Sequence, residues 1–237
     1  MRLPCVLLLC LGAATVSAAF VLSPSHSWTK LILTHHWPKT FCDMERCNST
    51  INSWTLHGLW PDKGQSCNSS WQFNSSLIED IIPDMKKSWP NLLHPSSTAF
   101  WKYEWQKHGT CAAILEELNS QHKYFSKALE LYHKMDLDSV LRKFNITPSP
   151  ELYSFPAIES AIEDFYGVKP KIQCVHHDKG DEAQSLGQIE ICFHSDFTLL
   201  DCDKETVGVG LRFGKGAARA SEFRVCDHDA PVFYPPL

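Results

Sequence analysis

Two histidine segments hold the residues of this chain best suited to chemistry. The first is Trp54-Thr55-Leu56-His57-Gly58-Leu59-Trp60-Pro61, followed at once by Asp62. The second runs Phe100-Trp101-Lys102-Tyr103-Glu104-Trp105-Gln106-Lys107-His108-Gly109-Thr110-Cys111. Histidine is the side chain whose ordinary pKa lies nearest neutrality. His57 and His108, one neutral and one charged, can therefore serve as general base and general acid in a single reaction. Lys107 can hold an anion, and a tryptophan offers a face on which a nucleobase stacks. RNA carries its own nucleophile, the 2′-hydroxyl. Its cleavage needs that proton removed, the phosphoryl charge stabilised and the leaving 5′-oxygen protonated, with no metal required. These residue types together point to phosphodiester cleavage in RNA.

The elements that must position these groups follow from periodicity. From Thr98 to His108, the residues Trp101, Glu104, Trp105 and His108 recur at spacings of three and four, which predicts a helix with those side chains on one face. Gly109 reads as its stop. Glu104 then lies one turn before His108, placed to orient it, favour its charged form and raise its pKa. A helix C-terminus would favour the imidazolium further. Trp28 to His36 predicts a strand ended by Pro38, and Trp54 to His57 a second one closed by Gly58 and Pro61. Further helices are predicted over Ser76–Lys87 (interrupted by Pro83), His122–Met135, Leu137–Phe144 and Ala157–Tyr166. Strand alternation returns at Ile172–Val175, Gln188–Phe193 and Phe223–Cys226. Helices in the middle and strands at both ends predict an α+β fold, a mainly antiparallel sheet flanked by helices.

Residues 1–18 read as a secretory signal peptide. Arg2 precedes an apolar run from Val6 to Ala14, too short to span a bilayer, and Ala18 or Ala19 is the expected cleavage point. No later stretch is apolar and long enough to span a membrane, so a soluble protein is expected. Residues 19–237 have a length common for one domain. Of ten cysteines, Cys5 and Cys10 leave with the leader. The remaining even set is Cys42, Cys47, Cys67, Cys111, Cys174, Cys192, Cys202 and Cys226, which in a secreted chain means disulfides. Zinc is the competing explanation, weakened because no C-x-x-C pair occurs. Asn48, Asn68, Asn74 and Asn145 stand in N-x-S/T sequons and are expected glycan sites. The net charge of −5 argues against a stable RNA-binding role, since tight nonspecific binding rests on phosphate neutralisation. RNA is then a transient substrate of a local pocket.

Each feature taken alone has a plainer explanation. A histidine beside tryptophans is commonly packed, the Trp101/Trp105 stripe is by default core, and Lys107 is by default solvated. The combination decides: glutamate and histidine at i, i+4, with a second tryptophan-flanked histidine elsewhere. His36 can line the site. His26, His94, His122, His133, His194 and His228 read as surface residues, and His176 and His177 receive no role.

The motifs Leu56-His57-Gly58-Leu59-Trp60-Pro61 and Glu104-Trp105-Gln106-Lys107-His108-Gly109-Thr110-Cys111 resemble those of the T2 family of secreted acid ribonucleases. His36-Trp37-Pro38 with Phe41-Cys42 adds to the match, as does the closing Phe233-Tyr234-Pro235-Pro236, similar to animal members. The resemblance spans essentially the whole mature chain. It implies an α+β fold and metal-free cleavage of single-stranded RNA through a 2′,3′-cyclic phosphate, with low base specificity. His57 and His108 become the acid–base pair, with His108 favoured as base and His57 as acid. Glu104 and Lys107 would act at the phosphoryl oxygens, Trp60 would stack on a base, and Asp62 would read its edge. The resemblance also implies the pairings Cys42–Cys47, Cys67–Cys111, Cys174–Cys226 and Cys192–Cys202. It carries no cofactor, and it points to a monomer in the secretory route or the lysosomal and endosomal lumen. One neutral and one charged histidine give a bell-shaped pH profile; with Glu104 raising His108 and surface carboxylates gaining protons as pH falls, a mildly acidic optimum is expected.

One residue departs from the family pattern. Members usually carry histidine directly before the motif glutamate, where this chain has Tyr103. Tyrosine donates one hydrogen bond but brings no charge near neutral pH, so weaker substrate binding or slower turnover is expected. Two other function classes compete: a secreted glycoprotein that keeps the fold and acts by binding a partner, and a metal hydrolase. The intact His57, Glu104, Lys107 and His108 weigh against the first, and the lack of an H-E-x-x-H run against the second.

Overall fold

The computed structural model describes residues 28–176, 183–202 and 222–237. The expected signal peptide, His26 and His177 lie outside the described residues. In chain order the elements are β1 (Leu31–His36), α1 (Pro38–Glu45), β2 (Thr55–Pro61), α2 (Ile82–Ser88), α3 (Ala99–Glu104), α4 (Thr110–Ala112), α5 (Gln121–Met135), α6 (Leu137–Lys143), β3 (Leu152–Tyr153), α7 (Phe155–Tyr166), β4 (Lys171–His176), β5 (Gln184–Phe193), β6 (Leu199–Leu200), β7 (Phe223–Val225) and β8 (Val232–Phe233).

The sheet has the order β2-β1-β5-β4-β7. Every neighbour along that path is antiparallel, and β8 joins β5 in parallel. The α+β, mainly antiparallel expectation holds. Leu31 and Leu33 of β1 and Ile189, Ile191 and Phe193 of β5 are fully buried in the main core, with Trp89, Trp105, Tyr124 and Phe125. Because strand side chains alternate, the opposite face carries Thr34, His36, Gln188, Glu190, Lys171 and Gln173. All six are buried as well, so this sheet has a polar interior face.

Two bulges shape that face. On β2 the register passes from Thr34↔Gly58 to His35↔Leu56, which leaves His57 as the extra residue. On β5 it passes from Gln173↔Gln188 to Cys174↔Leu186, which leaves Gly187 extra. A bulge re-aims a side chain, and here it turns His57 towards the polar face beside His36.

Several local expectations change. Gly58 does not close β2, which runs on to Pro61. A Cβ on Gly58 would stand 2.0 Å from Trp60 Nε1 and 2.5 Å from Glu104 Oε2, so glycine serves close approach of two site residues. Gly109 does not end a helix either. After α3 the chain makes a π turn over Trp105–Gly109 and continues into α4. A Cβ on Gly109 would lie 2.4 Å from Trp105 Cε3, and the glycine lets the turn close on that ring. Pro38 and Pro83 open α1 and α2 at their first turns, where a missing N–H costs nothing. The segment expected as one helix over Ser76–Lys87 accordingly divides into a 3₁₀ turn, Ser75–Ile78, and α2.

The disulfides are Cys42–Cys47, Cys67–Cys111, Cys174–Cys226 and Cys192–Cys202, the pairings the resemblance implied. Cys67–Cys111 ties the loop after β2 to the end of the π turn. The Ser66 N–H adds a bond of 2.8 Å to the Lys107 carbonyl.

Candidate active site

The bulge on β2 and the π turn after α3 bring the two motifs together. Trp60 touches both histidines: its ring centre lies 4.9 Å from that of His57, edge-on, and 5.1 Å from that of His108, stacked. The Trp60 indole N–H donates to Glu104 Oε2 at 2.7 Å. His108 thus stacks on the indole expected to meet a base. The position of His57 is fixed twice more. Its backbone carbonyl accepts from the Trp89 indole at 2.7 Å, and its Nδ1–H donates to Gln188 Oε1 at 2.6 Å. Gln188 Nε2 in turn donates to Gln173 Oε1 at 2.7 Å.

The electrostatics differ from expectation. Glu104 is fully buried; burial raises its carboxyl to about 8, against the pull of the Trp60 bond and Lys107. It is protonated at neutral pH, and its bond goes to Trp60. It therefore does not orient His108 or raise its pKa. Burial holds His108 well below its ordinary value, and Lys107 and His57 lower it further. Its place inside the π turn also removes the helix C-terminus that was to favour its charge. His57 is lowered to about 4 by burial, partly countered by the Gln188 bond, with Lys107 lowering it again. In both histidines the neutral form is favoured by desolvation.

Lys107 is half-buried and donates from Nζ to the Tyr103 hydroxyl at 2.7 Å, while lying 5.1 Å from the centre of that ring. Tyr103 thus meets the lysine expected to meet phosphate. It also lines a cavity of about 280 Å³ with His36, His57, Asn91, His94 and Phe100. His36 is buried, its ring centre 5.0 Å from that of His57 and stacked on Phe41. Neither of its ring nitrogens has a hydrogen-bond partner among the described residues.

Asp62 meets the segment that leads into β1. Oδ1 accepts from the Thr29 N–H at 2.8 Å and the Lys30 N–H at 3.2 Å, and Oδ2 from the Thr29 hydroxyl at 3.0 Å. These three bonds pin the entry to β1. Gln188, Gln173 and Trp89 were not singled out in the sequence. Alternation put Gln188 and Glu190 on one side of a strand, but nothing local marks that side as buried. Among the described residues, no group of three or more His, Cys, Asp or Glu side chains stands close enough to hold a metal ion.

The model of the Ribonuclease T2 family matches residues 28–202. The chain belongs to the ribonuclease T2 family. It is 56% identical to the ribonuclease T2 of Danio rerio over 231 residues, 93% of this chain and 92% of that one. The crystal structure of human RNase T2 superposes with a TM-score of 0.75 at 44% identity, covering 88% of this chain and 99% of the human one. RNase NT in complex with 5′-AMP gives a TM-score of 0.70 at 30% identity, covering 89% and 100%. The chain is an endoribonuclease of this family. The match takes in both histidine motifs, from Trp28, just before β1, to Cys202.

Proposed function

We propose that the chain cleaves single-stranded RNA by transphosphorylation, with His57 and His108 as the proton-transfer pair, yielding 2′,3′-cyclic phosphate ends. The carrying observation is the contact of both histidines with one indole, Trp60, beside Lys107 and a protonated Glu104. A buried carboxylate would repel a phosphodiester, whereas a neutral carboxyl can donate a hydrogen bond to a phosphoryl oxygen. Among the described residues, Glu104 Oε1 is buried with no hydrogen-bond partner, which suits that task. Lys107 supplies the positive charge. The cavity beside His57 suits a base flanking the scissile phosphate, and the nucleotide complex of RNase NT supports a nucleotide ligand on this fold.

Mildly acidic pH remains the expected optimum, on a changed ground. Burial depresses both histidines, so the imidazolium needed as acid is scarce at neutral pH and grows as pH falls towards about 4. An entering phosphodiester anion offsets Lys107 and favours that charge. The leader, the sequons at exposed Asn48, Asn68, Asn74 and Asn145 and the disulfides support a glycosylated, secreted or lysosomal protein. No described helix is long and apolar enough to cross a membrane. A monomer is the simplest state for a site built within one chain.

The test is cleavage of a short single-stranded RNA at mildly acidic pH with a chelator present, beside His57→Ala and His108→Ala. Cyclic phosphate ends that vanish in both variants support the assignment. Dependence on a divalent ion would move it to the metal hydrolase class. A folded wild type without cleavage would favour the partner-binding glycoprotein.

A further inference from the structure

The polar face of the sheet ends at the histidine on β2. Four strands contribute to one row: His57 from β2, His36 from β1, Gln188 from β5 and Gln173 from β4. His36 sits opposite Gln188, and Gln188 opposite Gln173, in the strand registers. All four side chains are buried. Two hydrogen bonds cross the row in one direction, His57 Nδ1–H to Gln188 Oε1 at 2.6 Å and Gln188 Nε2–H to Gln173 Oε1 at 2.7 Å.

That direction has a chemical consequence. An amide oxygen only accepts, and an amide nitrogen only donates. With Gln188 Nε2 committed to Gln173, the group presented to His57 is Oε1. The imidazole must then carry a proton on Nδ1, and Nε2 is left as the nitrogen that gains and loses protons. Unlike a carboxylate, an amide sets the tautomer without adding charge. The bulges at His57 and Gly187 are what let residues on non-neighbouring strands meet. A Cβ on Gly187 would lie 2.1 Å from the Phe223 ring, so this bulge too is built around a glycine.

We infer that Gln188, held in one amide orientation by Gln173, is a positioning residue that fixes the tautomer of His57 for proton transfer through Nε2. This rests on His57 being one of the acid–base pair. The charged or titratable groups that act on His57 besides this relay are His36 from β1, Lys107 and His108 from the π turn, and Glu104, reached through Trp60. None of them occupies Nδ1, so the relay is separable from them by mutation.

Two measurements test it on the full-length protein. Long-range ¹⁵N–¹H spectra of the unmutated enzyme should show neutral His57 protonated on Nδ1; a resonance with the proton on Nε2 overturns the inference without any variant. Cleavage kinetics then compare His57→Ala, Gln188→Leu, Gln188→Glu and Gln173→Leu. Gln188→Leu should lower kcat by about 10–100-fold with KM within about twofold. Gln188→Glu should restore much of kcat and move the His57 limb of the pH–rate profile upward by roughly one pH unit, because a carboxylate there favours the imidazolium. Gln173→Leu should fall between. Loss of activity in His57→Ala together with an unchanged kcat and pH profile in folded Gln188→Leu overturns the relay alone. Activity retained in His57→Ala overturns the acid–base assignment beneath it.

Discussion

Glu104 shows how far burial can reverse a residue's expected role. Its type and spacing suggest a carboxylate steadying a charged histidine, but in the fold it is a neutral acid bonded to Trp60. Glu104→Gln keeps a neutral donor in that place and should hold cleavage within about tenfold of wild type. Glu104→Ala removes the donor and should cost about 10²–10³ in kcat. Equal losses in the two variants would show that the ionised form matters. Tyr103 is the second residue to settle. Its hydroxyl takes a hydrogen bond from Lys107, which partly occupies the cation meant for phosphate. Tyr103→His should raise kcat/KM on a short RNA at mildly acidic pH. A variant no faster than wild type would count against any penalty from the tyrosine.

At the scale of elements, the site is made by two irregularities. A regular β2 would set His57 in simple alternation, and an unbroken α-helix over 98–108 would stack Glu104 beneath His108. The bulge and the π turn redirect both; such distortions recur at functional sites. Glycines make them possible by leaving room. Gly58→Ala would push a methyl into the Trp60–Glu104 pair. Overpacking of this kind costs about 1–3 kcal/mol, yet the clash falls on site side chains. Cleavage should therefore fall by more than tenfold while thermal unfolding shows the protein still folded at assay temperature. Near wild-type cleavage by Gly58→Ala would mean that the pair can shift without consequence. The Cys67–Cys111 bridge, closing a sequence separation of 44 residues, contributes on the order of 4 kcal/mol by loop entropy, and it anchors the turn that bears Lys107 and His108.

For the whole molecule, the buried ionisable groups set the pH range of stability. Glu104, at about 8 in the fold, keeps a proton that the unfolded chain gives up near the ordinary 4.5. Its contribution is complete below 4.5 and is lost as pH rises through about 8. His35 and His57, both lowered to about 4, stay neutral where the unfolded chain takes up protons near 6.5. Their contribution is complete above 6.5 and is lost as pH falls through about 4. These groups together place maximal stability in the mildly acidic range. Thermal unfolding followed across pH should peak there, and Glu104→Gln should flatten the fall on the alkaline side. An equally steep alkaline fall in that variant would remove Glu104 as its cause.

The sequence by itself determined the family, the α+β class, the disulfide-bearing character and the two motifs that meet at the site. These rest on local signals: periodicity, residue type and long contiguous matches. Only the tertiary structure decided the protonation of Glu104, the depressed histidines and the spending of Asp62 on Thr29 and Lys30. It alone revealed Gln188 and Gln173 behind His57. Each of these depends on what lies across the sheet or above a ring. Desolvation is a property of the packed surroundings, and a hydrogen bond between residues 57 and 188 leaves no trace in the residues beside either one.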